Sequence, residues 1–189
     1  MVRTVITTMP EAIFQTELWL PRPRAEVFPF FADARNLEVL TPPWLRFEIL
    51  TPLPIAMRAG AVIDYRLRVR GLPLRWRTEI AEWTPPERFV DVQVRGPYVL
   101  WHHTHTFAER DGGTVCGDRV RYWPRGGALV DRLFVRRDVE RIFAYRAHKL
   151  RELFGGSSIT EARQTPWQSA GAPISAEGTP GKPFQPSDG

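Results

Sequence analysis

One cysteine, Cys116, is all the thiol chemistry in the chain. That excludes an internal disulfide framework and fits a reducing, cytoplasmic setting. Lysine is almost missing as well. Lys149 and Lys182 are the only two, so arginine supplies nearly all of the 26 basic residues. These are dispersed among 21 acidic residues, with no block of like charge and no nucleic-acid motif. The net charge of +5 is therefore read as a basic surface, with no nucleic-acid partner expected. No run approaches the roughly 18 apolar residues of a membrane span. The first residues lack a basic stretch followed by an apolar one, so no secretory signal is expected. Gly126-Gly127 has no phosphate-loop pattern around it, and no cofactor is expected. What is present is a chain of 189 residues, 43% hydrophobic and 12% aromatic, long enough to bury a core.

The character of the chain changes at Gly155. Residues 155–189 are rich in Gly, Pro and Ser with few apolar positions, and are read as a disordered tail. Residues 12–154 are then one domain. Residues 14–20, 45–50, 61–70, 74–83, 88–94, 99–107 and 114–123 alternate like strands and are separated by turn chemistry such as "GLP", "TPP", "RGPY" and "RDGG". After the first of them, residues 24–40 have helical spacing, broken near 32–35, which predicts two short helices. A long helix is expected over 128–154, with an apolar stripe of Leu133, Val139, Ile142, Phe143, Leu150 and Phe154. The order predicts an α+β fold: a curled seven-stranded antiparallel sheet gripping a long C-terminal helix.

Turn lengths fix which strand residues share a face. In residues 114–123, Arg119 and Arg121 alternate with Cys116, Asp118, Val120 and Tyr122, and the second set is expected inside. The Asp111-Gly112 turn then sets His105 opposite Asp118, His103 opposite Val120 and Trp101 opposite Tyr122. If Gly96-Pro97 is the next turn back, Val92 faces Trp101 and Val90 faces His103. Across "GLP", a turn with Val69 opposite Leu74 joins Tyr65 to the face of Trp76 and leaves Arg66, Arg68, Arg70, Arg75 and Arg77 outside. A three- or five-residue loop at Asp111 would reverse the choice and bring His102 and Thr104 inward instead.

Several stretches carry a family resemblance: "GLPLRW" (71–76), "PPERFVDVQVRGPYVLWHHTHTF" (85–107), "DRVRY" (118–122) and "RRDVERIFAYR" (136–146). Together with the element order, they resemble the START-like, or SRPBCC, helix-grip superfamily, and within it a bacterial single-domain branch of polyketide cyclase/dehydrase-like proteins. The resemblance implies a cavity between sheet and helix that takes a hydrophobic molecule. It does not imply a particular reaction.

Three of the four histidines lie in "WHHTHTF". His103 and His105 share a face, so a metal site would need further ligands. Asp118 and His148 are the only candidates, and no metal is expected. The expected binding set is Tyr65, Trp76, Val92, Trp101, His103, His105, Asp118 and Tyr122, an apolar wall with a few polar groups. Three function classes stand. One is a carrier of a hydrophobic or aromatic small molecule: a lipid, a quinone or a polyketide-like compound. The second is a cyclase- or dehydratase-type enzyme, with His105 and Asp118 as an acid/base pair and Tyr122 polarising a carbonyl. The third is a partner-binding protein, or one making transient membrane-surface contact through its outer arginines.

Overall fold

The structure, a computed structural model, describes residues 11–155. The tail reading for the residues after Gly155 lies outside the described residues. Seven strands run β1 (Ala12–Leu20), β2 (Glu48–Ile49), β3 (Val62–Val69), β4 (Leu72–Thr84), β5 (Arg88–Arg95), β6 (Tyr98–Arg110) and β7 (Gly113–Pro124). They form one antiparallel sheet in the order β1-β7-β6-β5-β4-β3-β2. Between β1 and β2 come the short helices α1 (Arg24–Phe31) and α2 (Asn36–Leu40) and a single 3-10 turn. The second predicted strand is only two residues long, because the 3-10 turn at Pro43–Leu45 takes its start.

The sheet must curl to cover the chain's last helices, α3 (Gly127–Val130), a π-helical turn at Asp131–Val135 and α4 (Arg136–Phe154). The predicted stripe on α4 is present: Val139, Phe143 and Leu150 are buried. Leu133 is not part of it and stands exposed. It falls in the π turn, where the extra residue per turn shifts the phase of the helix away from a 3.6-residue pattern. One apolar cluster joins Leu18, Phe28, Phe89, Phe107 and Leu150 at the end where α1 closes the sheet. A second joins Phe14, Val120, Tyr122, Val139 and Phe143.

The register at β6–β7 is the one the Asp111-Gly112 turn predicts, with His105 opposite Asp118, His103 opposite Val120 and Trp101 opposite Tyr122. Asp111 and Gly112 both take positive φ, 50° and 71°, as a two-residue turn matched to strand twist requires. His102 pairs with Arg121 on the outer side. At β3–β4 the turn is Arg70-Gly71, again with both φ positive. Val69 therefore faces Leu72 rather than Leu74. That is a slip of two residues, so the same side chains still point inward. Arg70 does not lie on the outer face: at the turn it reaches α4, where its Nε sits 3.0 Å from Asp138 Oδ2. Of the outer arginines, Arg66 pairs with Glu48 and Arg77 with Asp64.

The β5–β6 register departs from expectation by one residue. Asp91 faces His103 and Phe89 faces His105, whereas Val90 faces Thr104 and Val92 faces His102. The cause is local. One residue more than a two-residue Gly96-Pro97 turn allows is taken up between Val92 and His102, where the regular β5–β6 ladder ends. The Gln93 side chain fills the opened end of the ladder: its amide donates to Tyr98 O at 2.8 Å, and Tyr98 N–H donates to its Oε1 at 3.2 Å. Because side chains alternate along a strand, this single residue turns Asp91 into the sheet's inner face and Val92 out of it.

Candidate functional site

Between the sheet's inner face and α4 lies a cavity of about 740 Å³. Tyr65, Trp76, Tyr98 and Trp101 wall one side, and Leu37, Leu40 and Trp44 from the α1–β2 region, with Ile142 and Phe143 from α4, complete it. The aromatic wall is a continuous cluster of rings, stacked at Tyr65–Trp76 and tilted or edge-on elsewhere. Trp76 lies 6.0 Å from Tyr65, 5.4 Å from Tyr98 and 5.3 Å from Trp101, centroid to centroid. Tyr65 bonds Thr78 Oγ1 at 3.0 Å, and burial pushes its phenol well above the ordinary range, so it stays a neutral hydroxyl. Of the expected binding set, Tyr65, Trp76, Trp101, His103 and His105 line this cavity.

Val92, Asp118 and Tyr122 do not. Val92 is on the other face, opposite His102. Tyr122 is fully buried in the packing beneath α4, where its hydroxyl donates to Asp131 Oδ1 at 2.8 Å. It therefore has no access to a bound carbonyl. Asp118 is buried behind the two histidines rather than beside the cavity. Tyr98, Asp91 and Arg146 line the cavity and were not among the expected residues. Arg146 had a visible signal: it falls in the α4 stripe, seven residues after Val139 and four before Leu150.

The buried polar groups of β5, β6 and α4 on this wall form one cluster with Asp118. Asp118 Oδ1 lies 2.9 Å from His103 Nε2 and 3.1 Å from His105 Nδ1. Asp91 Oδ2 lies 2.9 Å from His105 Nε2 and 3.4 Å from His103 Nδ1. Arg146 Nη2 stands 3.2 Å from His105 Nδ1 and 3.5 Å from Asp118 Oδ1. A guanidinium can only donate, so in the arrangement where it bonds His105 Nδ1 the His105 proton is on Nε2, toward Asp91. The rings are clamped by apolar neighbours: Phe89 stacks on His105 at 4.1 Å and Phe143 meets His103 edge-on at 5.4 Å. Arg146 in turn lies over the rings of Phe31 and Phe143.

Burial alone would raise the Asp118 carboxyl. Arg146 and the hydrogen bonds from His103 and His105 outweigh that and hold it well below the usual carboxylate range. Burial acts likewise on Asp91, and is outweighed by His103 and by the bond from His105, so Asp91 also ionises more readily than usual. Burial pushes the His103 imidazole below its ordinary value, and His105 adds to this, against the pull of both carboxylates. In each of the three groups the unfolded chain takes up a proton at a higher pH than the fold does. Stability is expected to fall as the pH drops below about 6.5, through His103, and further below about 4, through the carboxylates. Urea midpoints measured with chelator present, from about pH 7 to about pH 4, check this. A flat or rising midpoint over that range contradicts the assignment.

The described residues thus define a helix-grip protein whose cavity has a largely apolar and aromatic wall and one buried His–Asp–Arg cluster. The chain belongs to the polyketide cyclase / dehydrase and lipid transport family, whose model matches residues 20–151. Solved structures agree in fold. The Zhui aromatase/cyclase of Streptomyces sp. R1128 superposes with a TM-score of 0.61 at 14% identity, over 79% of this chain and 99% of that one. Ginseng major latex-like protein 151 from Panax ginseng gives 0.58 at 8% identity, over 77% and 99%. A nucleoside-diphosphate sugar epimerase from Corynebacterium glutamicum gives 0.56 at 26% identity, over 73% of this chain but 28% of that one. No curated protein sequence matches the chain. Among the described residues, no helix is long and apolar enough to cross a membrane.

Proposed function

We propose that the protein binds an elongated aromatic molecule bearing oxygens at one end, of the quinone or polyketide-like kind, with those oxygens against the His103–His105–Arg146 wall. The family and the fold support hydrophobic ligand binding or cyclase-type chemistry. The observation that carries the narrower reading is a pair of unmet donors. Trp76 Nε1 and Arg146 Nε are buried, belong to residues lining the cavity, and have no hydrogen-bond partner among the described residues. Buried N–H groups are rarely left so, and an acceptor oxygen on a ligand is what they lack. The cluster of aromatic rings from Trp76, Tyr98 and Trp101, tilted or edge-on to one another, favours a flat aromatic molecule over a saturated chain. A volume of about 740 Å³ suits a molecule of that size.

The test is a titration with anilinonaphthalene sulfonate, a flat aromatic anion, followed by displacement with quinones. Saturable binding at one site with quenching of tryptophan emission is expected. Failure to saturate, or no effect on the tryptophans, contradicts the reading.

A second reading, cyclase-type catalysis, is favoured by the His105–Asp91 contact, because both groups face the cavity. Such a pair can take a proton from carbon beside a bound carbonyl and return it to oxygen. The pair differs from the one expected from sequence, since Asp118 does not reach the cavity. Product formed from a bound polyketide-like compound, and lost in His105→Ala, would separate catalysis from carriage.

A further inference from the structure

We propose that Asp91, His103 and His105 form a binding site for a divalent transition-metal ion, open to the cavity, with Asp118 as the outer carboxylate that orients both imidazoles. One donor atom from each of the three residues lies within 4.8 Å of the others. The separations of Asp91 Oδ2 from His105 Nε2 and His103 Nδ1 are 2.9 and 3.4 Å. Donors about 2.0–2.2 Å from one ion stand roughly 3.0–3.5 Å apart in octahedral or tetrahedral order. The two contacts already have the edge lengths of such a polyhedron.

The far nitrogens carry the second part of the argument. His103 Nε2 and His105 Nδ1 both point to Asp118 Oδ1, at 2.9 and 3.1 Å. A carboxylate behind a metal-bound histidine fixes the proton on the distal nitrogen and the lone pair toward the ion. Here one carboxylate does so for both rings. Without a cation, the arrangement is short of protons. Four N···O contacts join two rings to two carboxylates, and two neutral rings bring only two N–H groups. A dication between the near nitrogens and Asp91 removes the mismatch. His105 then carries its proton on Nδ1, toward Asp118, and the Arg146 guanidinium is left to Asp118 Oδ1. With neutral rings, two carboxylates against Arg146 leave one net negative charge, which attracts the ion.

Backbone placement makes the site rigid. His103 and His105 alternate onto one face of β6, and Asp91 is the β5 partner of His103. The three donors line the cavity while Asp118 does not, so the ion's free positions face whatever the cavity holds. Three protein ligands with open positions is the arrangement of reactive rather than structural sites. A set of two imidazoles and one carboxylate suits Zn²⁺, Fe²⁺, Co²⁺ or Ni²⁺ over Mg²⁺ or Ca²⁺. The inference does not rest on the aromatic ligand: the site takes its ion whether or not the cavity is filled.

The test uses tag-free, full-length protein stripped with chelator and titrated with Co²⁺, then with Zn²⁺ in competition. One equivalent of Co²⁺ should bind at micromolar concentration and give visible ligand-field bands that Zn²⁺ abolishes. Paramagnetic Co²⁺ should broaden the ring signals of His103 and His105 in the wild-type protein and spare His148, which lies at the surface beside Glu152. Asp91→Asn, which keeps the side chain's shape, should weaken binding at least tenfold. Asp118→Asn should weaken it about 10–100-fold, as outer-carboxylate changes do. No stoichiometric uptake overturns the proposal. So does uptake that survives Asp91→Asn and disappears in His148→Ala, which would mark a surface site.

Discussion

Asp118→Ala is expected to destabilise the fold by about 3–5 kcal/mol, the cost of removing one partner from a buried ion pair. Asp118 is the point where the cluster closes: its Oδ1 meets His103, His105 and Arg146. Its loss leaves the Arg146 guanidinium, with only 11% of its side chain exposed, facing an empty space. Phe31 and Phe143 lie against the guanidinium and offer it no acceptor in the carboxylate's place. The check is urea unfolding in the presence of chelator, read as a lower midpoint at unchanged slope. Adding Arg146→Met should recover part of the loss, since the stranded charge then goes too. A cost under about 1 kcal/mol would put the pair in the class of surface salt bridges and contradict its burial.

The second large effect concerns binding. Ile142 faces the cavity from α4, is half-buried and packs against the cluster of Leu45, Leu67 and Trp76. Ile142→Trp places an indole in the open volume and should weaken binding of anilinonaphthalene sulfonate at least tenfold, about 1.4 kcal/mol. Stability should change by less than about 1 kcal/mol, because the larger ring enters space and not a packed core. Unchanged affinity would place the ligand elsewhere on the protein.

The sequence made the closing hairpin readable and hid its neighbour. Asp111-Gly112 admits one two-residue turn, so the partners of His103 and His105 on β7 could be counted outward from it. Gly96-Pro97 looked equally definite, yet the connection takes up one residue more and Gln93 closes it with its side chain. Nothing in the alternation of "RFVDVQV" marks such a shift. An aspartate among valines reads as the outward residue until the one-residue shift in pairing reverses the strand. The whole near side of the cluster, Asp91 with its contacts to both histidines, turned on that one residue. The absence of a metal was expected because a third ligand was sought in Asp118 and His148, and neither lines the cavity.

Arg146 was legible in a different sense. A charged residue at stripe spacing between Phe143 and Leu150 either breaks the helix's docking or meets a buried acid, and Asp118 is that acid. What could not be counted from sequence was the rotation at which α4 meets the sheet. The π turn ahead of it also breaks the 3.6-residue phase, and Leu133, which falls there, is exposed. Tyr122 was assigned to the right face but the wrong depth. The face extends beyond the cavity, and its end is packed against the helix through Asp131.

The most direct measurement of the central claim is native mass spectrometry of the full chain purified without organic solvent, beside Ile142→Trp prepared identically. A cavity that binds a hydrophobic molecule predicts wild-type protein carrying a non-covalent adduct of a few hundred daltons, released on denaturation and missing from Ile142→Trp. Wild-type protein that shows only its bare mass and takes up no quinone or aromatic polyketide on incubation would contradict the account, as would an adduct that Ile142→Trp retains in full.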